Sequence, residues 1–183
     1  CGTYSAPSGN SVGWVWNAGT ATDTNNTAGS ITPTGVRANP SAGFSIVSYT
    51  GTGSNATVGH GLNSKASFIL FKNRDAADNW RVYHNGITAE KTLFLSMNSA
   101  ASDNAVYYDD TEPTTTVFSV GTDSGVNQST KAIIALVWSE VEGYSKFGSY
   151  EGSTDGPFVW CGFKPAWLMV KRTDSTGNWI ILD

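Results

Sequence analysis

His60 and His84, the carboxylates Asp109, Asp110 and Glu112, the pair Glu140 and Glu142, and the cysteines Cys1 and Cys161 are the groups whose types suit chemistry. Neither histidine has a cysteine or second histidine at metal spacing, and His60 sits in a Gly-His-Gly turn. Asp109, Asp110 and Glu112, just before Pro113, offer the oxygens that Ca²⁺ takes, without EF-hand spacing. A solvated acidic turn explains them as well, because Asp favours turns for backbone reasons. No cofactor is expected, and Ca²⁺ is the one ion these residues suggest without a supporting motif.

Glycoside hydrolysis needs two carboxylates roughly 5 to 9.5 Å apart across a groove. Glu140 and Glu142 lie two apart on one expected strand, so both face one side, but they end an apolar strand where a junction contact is the simpler reading. No Gly-x-Ser-x-Gly elbow, phosphate loop or Cys-His pairing occurs. The expectation is a non-enzymatic protein.

Trp14, Trp16, Tyr107, Tyr108, Trp160 and Trp167 are candidates for sugar stacking, although rings of this size more often fill cores and junctions. The residues singled out for ligand contact are Tyr108, Asp109, Asp110 and Trp160.

The background is polar but weakly charged: 14% of residues are charged, Gly is 20 of 183, and the net charge is −4. Lys and Arg are scattered singly, which leaves no basic stripe for nucleic acid. No run of about 18 apolar residues suits a membrane span, and no charged n-region with an apolar stretch opens the chain. Seven Trp and seven Tyr supply the apolar area for a core. A lone cysteine pair with one member at the first position is no disulfide framework, so incidental thiols are expected. Cys1 also suits a lipidated N-terminus, which the repeat described below argues against. The sequons at Asn25, Asn55 and Asn127 arise by chance in so Asn-, Ser- and Thr-rich a chain.

These residues must be positioned by strands. Runs rich in β-branched and aromatic residues, bounded by Gly, Asn, Asp, Ser and Pro, predict strands at 44–50, 55–59, 66–73, 79–84, 92–98, 105–109, 116–120 and 131–141. Eight antiparallel strands suit an all-β, two-sheet sandwich of jelly-roll type. Alternation places Leu93, Leu95 and Met97 inward and Ser96 and Asn98 outward. The continuous apolar runs 68–71 and 133–138 predict central strands covered on both faces or lying at a domain contact.

The chain also matches itself. Gly43-Phe44-Ser45 repeats as Gly143-Tyr144-Ser145, Ser48-Tyr49 as Ser149-Tyr150, and Gly61-Leu62 as Gly162-Phe163. After a two-residue slip, Lys72 aligns with Lys171 and Asn79-Trp80 with Asn178-Trp179. Val15-Trp16 echoes Val137-Trp138 at an offset of 122. In this alignment His60 falls opposite Cys161, a swap that favours a structural role. The expected organisation is the tail of one unit with a Thr/Asn/Pro-rich connector (1–42), a complete unit (43–142) and the first strands of a third (143–183). The last piece would carry an unpaired edge, completed by further chain or by neighbouring copies.

The phrases Arg37-Ala38-Asn39-Pro40-Ser41-Ala42-Gly43-Phe44-Ser45-Ile46-Val47-Ser48-Tyr49-Thr50-Gly51 and Val58-Gly59-His60-Gly61-Leu62 resemble a repeat domain of marine bacteriophage virion proteins. So do Glu140-Val141-Glu142-Gly143-Tyr144-Ser145-Lys146-Phe147-Gly148-Ser149-Tyr150, Gly156-Pro157-Phe158-Val159 and Lys171-Arg172-Thr173-Asp174-Ser175. The resemblance implies a structural virion component, such as a tail fibre or capsid-associated fibre, with a jelly-roll or concanavalin-like sandwich and no transferred catalytic residues. Its partners would be further copies, other virion proteins, and a host surface glycan or protein met through loops. The alternatives are a carbohydrate-binding module of a secreted enzyme and a repeat domain of a bacterial surface adhesin.

Overall fold

Phe44-Ser45-Ile46-Val47-Ser48-Tyr49-Thr50 is rich in β-branched and aromatic residues, and a pleated strand sends Phe44 and Ile46 to one face and Val47 and Tyr49 to the other. In the computed structural model, which describes residues 13–183, this segment is β2 (Phe44–Thr50). The other strands are β1 (Gly35–Asn39), β3 (Ala56–Gly59), β4 (Ala66–Asn73), β5 (Arg81–His84), β6 (Lys91–Phe94) and β7 (Ser102–Asp103). β8 (Val117–Val120), β9 (Ala132–Ser139), β10 (Leu168–Val170) and β11 (Ile180–Leu182) follow, with one short helix, α1 (Ser124–Asn127), between β8 and β9.

Seven strands form an antiparallel sheet in the order β1-β2-β9-β4-β5-β6-β7, and β3 and β8 form a separate two-stranded ladder. The runs 68–71 and 133–138 therefore occupy β4 and β9, side by side at the centre of the sheet. Both faces of these strands are covered. On the first face Val47, Tyr49, Ile69, Phe71, Tyr83, Ile133, Ala135 and Val137 pack against Val58, Phe118 and Val120 of the ladder. On the second, Phe44, Phe68, Leu70, Val82, Leu93 and Trp138 meet Ala18, Phe147, Met169 and Trp179. The C-terminal part of the chain lies across this second face, held by Trp179 Nε1 donating to Phe94 O (2.9 Å) and Ala101 N donating to Thr173 O (2.8 Å).

Three segments differ from the sequence expectation. Residues 105–109 form a tight turn, with Asp109 N donating to Ala105 O (2.8 Å), because Asp109 and Asp110 adopt left-handed φ of 54° and 46°. β6 stops at Phe94, where Met97 N turns back to Phe94 O (3.2 Å), so Leu93 is buried while Met97 faces solvent. Gly35–Asn39, inside the expected connector, is β1: it pairs along β2 from Gly35 opposite Ser48 to Asn39 opposite Phe44 and contributes Val36 to the core. Cys1, and with it any pairing or lipidation, lies outside the described residues.

Candidate functional site

Each group with chemical potential can be followed to its place. His60 is buried: its Nδ1 accepts from Leu62 N (3.2 Å) and its Nε2 faces Thr114 O (3.3 Å), an acceptor that requires a protonated Nε2. Burial lowers its pKa from the ordinary 6.5. His84 Nδ1 accepts from Gly86 N (2.9 Å) while its ring meets Phe68 and Phe147 edge-on, and burial lowers its pKa too. His60 thus has both ring nitrogens on backbone groups, and His84 has its Nδ1 so engaged.

The acidic run splits apart. Glu112 turns inward, accepting from Tyr83 OH (2.8 Å) and Ala89 N (2.7 Å) and pairing with Lys65 (3.0 Å). Burial works to raise its pKa, but these donors hold it below the usual carboxylate value. Asp109 accepts from Asn55, and Asp110 is exposed beside it. Among the described residues no three His, Cys, Asp or Glu side chains converge as a metal site would need. Glu140 accepts from Lys146 Nζ (2.8 Å) and Phe147 N (3.1 Å), a junction contact that fixes the start of the C-terminal segment.

Tyr108, expected at the surface, belongs instead to the core. Its hydroxyl shares a hydrogen with Thr92 Oγ1 (2.7 Å), and its ring packs on Phe71, Tyr83 and Tyr107. The 105–110 turn, unforeseen as such, swings this ring inward and leaves its two Asp neighbours outside. Asn127, the third sequon, is likewise buried, with Nδ2 donating to Ser54 O and Gly121 O at 2.7 Å each.

One ionic cluster escaped the sequence reading. Arg81 is buried, with Nη2 donating to Asp123 Oδ2 (3.0 Å), Nε at ion-pair distance from Asp123 Oδ1 (3.0 Å) and Nη1 donating to Asp78 Oδ1 (3.1 Å). The Phe94 ring lies 5.0 Å from Cζ. Asp123 also caps α1 through Gly125 N (2.8 Å), and a Cβ on Gly125 would stand 2.9 Å from Arg81 Cζ. The cluster cross-braces β5, α1 and the loop at Asp78. Its only signal in the sequence was a charged residue inside an apolar strand.

Trp160, singled out for ligand contact, lies at the surface. It projects with 76% of its area exposed, beside Phe158 at 87%, in a loop that also carries Val159, Cys161 and Phe163 around an open cavity of about 380 Å³. The mutual placement of Trp160 with Asp109 and Asp110 forms no common hydrogen-bonded site.

The molecule is thus a mostly antiparallel all-β protein that carries an exposed apolar loop at Phe158, Val159 and Trp160. The chain belongs to the family described as Domain of unknown function (DUF7483), whose profile matches residues 2–183. No curated protein and no solved structure matches it. Among the described residues no helix is long and apolar enough to cross a membrane.

Proposed function

We propose that this chain is a structural and adhesive β-module of an extracellular fibre or virion appendage, and that the loop carrying Phe158, Val159 and Trp160 is its contact surface. The observation that carries the contact reading is the exposure of Phe158 and Trp160 side by side. Contiguous apolar patches on soluble proteins mark interaction sites, and Trp is the residue most enriched where binding energy concentrates. Two such rings give a weak single site, which tandem copies on one fibre would multiply by two to four orders of magnitude. The virion assignment rests on the resemblance of the long phrases around Gly43 and Gly143. The two-layer core supports the finer reading of each unit as a β-sandwich, and the self-match supports tandem units.

The test is binding of the 183-residue chain, displayed monovalently and on a multivalent scaffold, to a glycan array and to host-cell envelope. Avidity-dependent binding lost in Trp160→Ser supports the proposal. Unchanged binding in that variant, or a hydrolase domain adjoining the module in the full-length protein, overturns it.

A further inference from the structure

The C-terminal hairpin copies an earlier one residue for residue. β10 and β11 pair Leu168 with Leu182, Met169 with Ile181 and Val170 with Ile180. β4 and β5 pair Ile69 with Tyr83, Leu70 with Val82 and Phe71 with Arg81. Subtracting 99 from every C-terminal number, the offset that aligns Lys171 with Lys72, turns the first set into the second. Each lysine also donates to the carbonyl of the next residue, Asn73 or Arg172. The matched glycines share left-handed backbones, with φ of 62° and 73° at Gly43 and Gly143 and 72° and 80° at Gly61 and Gly162.

In the first unit β4 has a second neighbour, β9, with Phe68 opposite Trp138, Ile69 opposite Val137, Leu70 opposite Leu136 and Phe71 opposite Ala135. β10 pairs only with β11 among the described residues, so the edge that β9 would occupy is open. The segment that echoes β9 is at the other end of the chain, where Val15-Trp16 matches Val137-Trp138. Carried through both offsets, the contact of Phe68 with Trp138 becomes a contact of Trp167 with Trp16. That contact exists: the Trp16 and Trp167 rings lie 6.1 Å apart, against 5.4 Å for Phe68 and Trp138. Trp14 Nε1 donates to Asp183 Oδ2 (3.2 Å), which brings the same segment to the end of β11. Trp16 also meets Trp138 edge-on at 5.7 Å, so equivalent positions of the two units touch each other, as they do across a two-fold axis. The backbone of residues 13–17 has no ladder partner here, and Val15 is 95% exposed.

We infer that residues 13–17 are the closing strand of a second unit built from the two ends of this chain, docking along the open edge of Leu168–Val170 in the register that β9 takes on β4. Trp16 then lies opposite Trp167, Val15 opposite Leu168, Trp14 opposite Met169 and Gly13 opposite Val170. The docked strand satisfies the edge that would otherwise invite foreign strands. The inference stands apart from the adhesive role, since it concerns how the two ends close on each other.

The test introduces Val15→Cys with Leu168→Cys in the full chain carrying Cys1→Ser and Cys161→Ser, followed by mild oxidation. Closure predicts an intramolecular disulfide in a monomer, formed about tenfold more completely than in the out-of-register pair Val15→Cys with Val170→Cys, because disulfides demand close Cα and Cβ geometry. Free thiols, equal yields from both pairs, or disulfides between chains overturn it. Hydrogen exchange on the unsubstituted chain keeps the test independent of variant folding. Slow exchange at amides of residues 13–17 supports the strand, and exchange at the unstructured rate overturns it.

Discussion

Val58 and Val159 occupy matched positions where the sequence aligns with itself, yet Val58 is 0% exposed and Val159 47%; Val82 and its counterpart Ile181 differ in the same way, 0% against 40%. Each pair is of one kind of side chain; Val82 and Ile181 also share strand backbone, in β5 and β11, whereas Val58 lies in β3 and Val159 in a loop. What differs in both pairs is the presence of partners: in the first unit β8 covers β3, and β9 and β6 flank the β4 and β5 pair. Among the described residues the β10 and β11 hairpin has no flanking strand of its own and lies on the second face of the large sheet. Hydrophobic stabilisation scales with area removed from water, so equal sequences in unequal surroundings contribute unequally.

This comparison is broken most directly at Arg81, whose counterpart is the exposed Ile180. Arg81→Ala should cost about 3–5 kcal/mol in denaturant unfolding, because it strands Asp78 and Asp123 without their cation. Ile180→Ala should cost under about 1 kcal/mol, as surface truncations do. One position along, Ile69→Ala should cost about 2–5 kcal/mol and its exposed counterpart Leu168→Ala far less. A similar cost at both sites would mean that the copy is as fully packed as the original.

Glycines sharpen the contrast further. Gly43 and Gly143 both adopt left-handed backbone, where an alanine costs about 1–2 kcal/mol. Around Gly143 a Cβ meets nothing within 4 Å, whereas at Gly43 it would stand 2.6 Å from Ser139 O. Gly43→Ala should therefore lower the melting temperature clearly more than Gly143→Ala.

A smaller effect separates His60 from Cys161. Burial holds the His60 pKa below 6.5, so the unfolded chain binds a proton that the folded chain refuses. Stability is full above the unfolded value and falls as pH drops through it toward the lower folded value. His60→Gln should flatten that slope in unfolding measured below about pH 6.5, leaving the share of His84, which shifts the same way. The smallest effect belongs to Trp160→Ser, which should change stability by about 0.5 kcal/mol or less while abolishing surface binding.

Much of the sheet was legible in the chain. Runs of continuous apolarity at 68–71 and 133–138 mark the central strands, since only strands covered on both faces can dispense with alternation. The segment 105–109 misled because Val106, Tyr107 and Tyr108 read as a strand, while the left-handed conformations of Asp109 and Asp110 that fold it into a turn leave no trace in hydrophobic pattern. β1 was hidden because Gly35, Ala38 and Asn39 are poor strand formers and gain their place only by pairing with β2. Among the contact candidates Trp160 is exposed and Tyr108 is buried, and residue type does not separate them, because large rings fill cores as readily as they form surfaces.

By itself the sequence determined the all-β class, the continuous apolar runs of the central strands and the match of the chain's phrases to one another, because these depend on residue type and spacing along one dimension. Only the tertiary structure decided which copy is buried, where Arg81 finds its two carboxylates, and that Trp16 meets Trp167 from the opposite end of the chain. Those outcomes depend on which elements become neighbours in space, and side-chain period carries no information about partners 151 residues away.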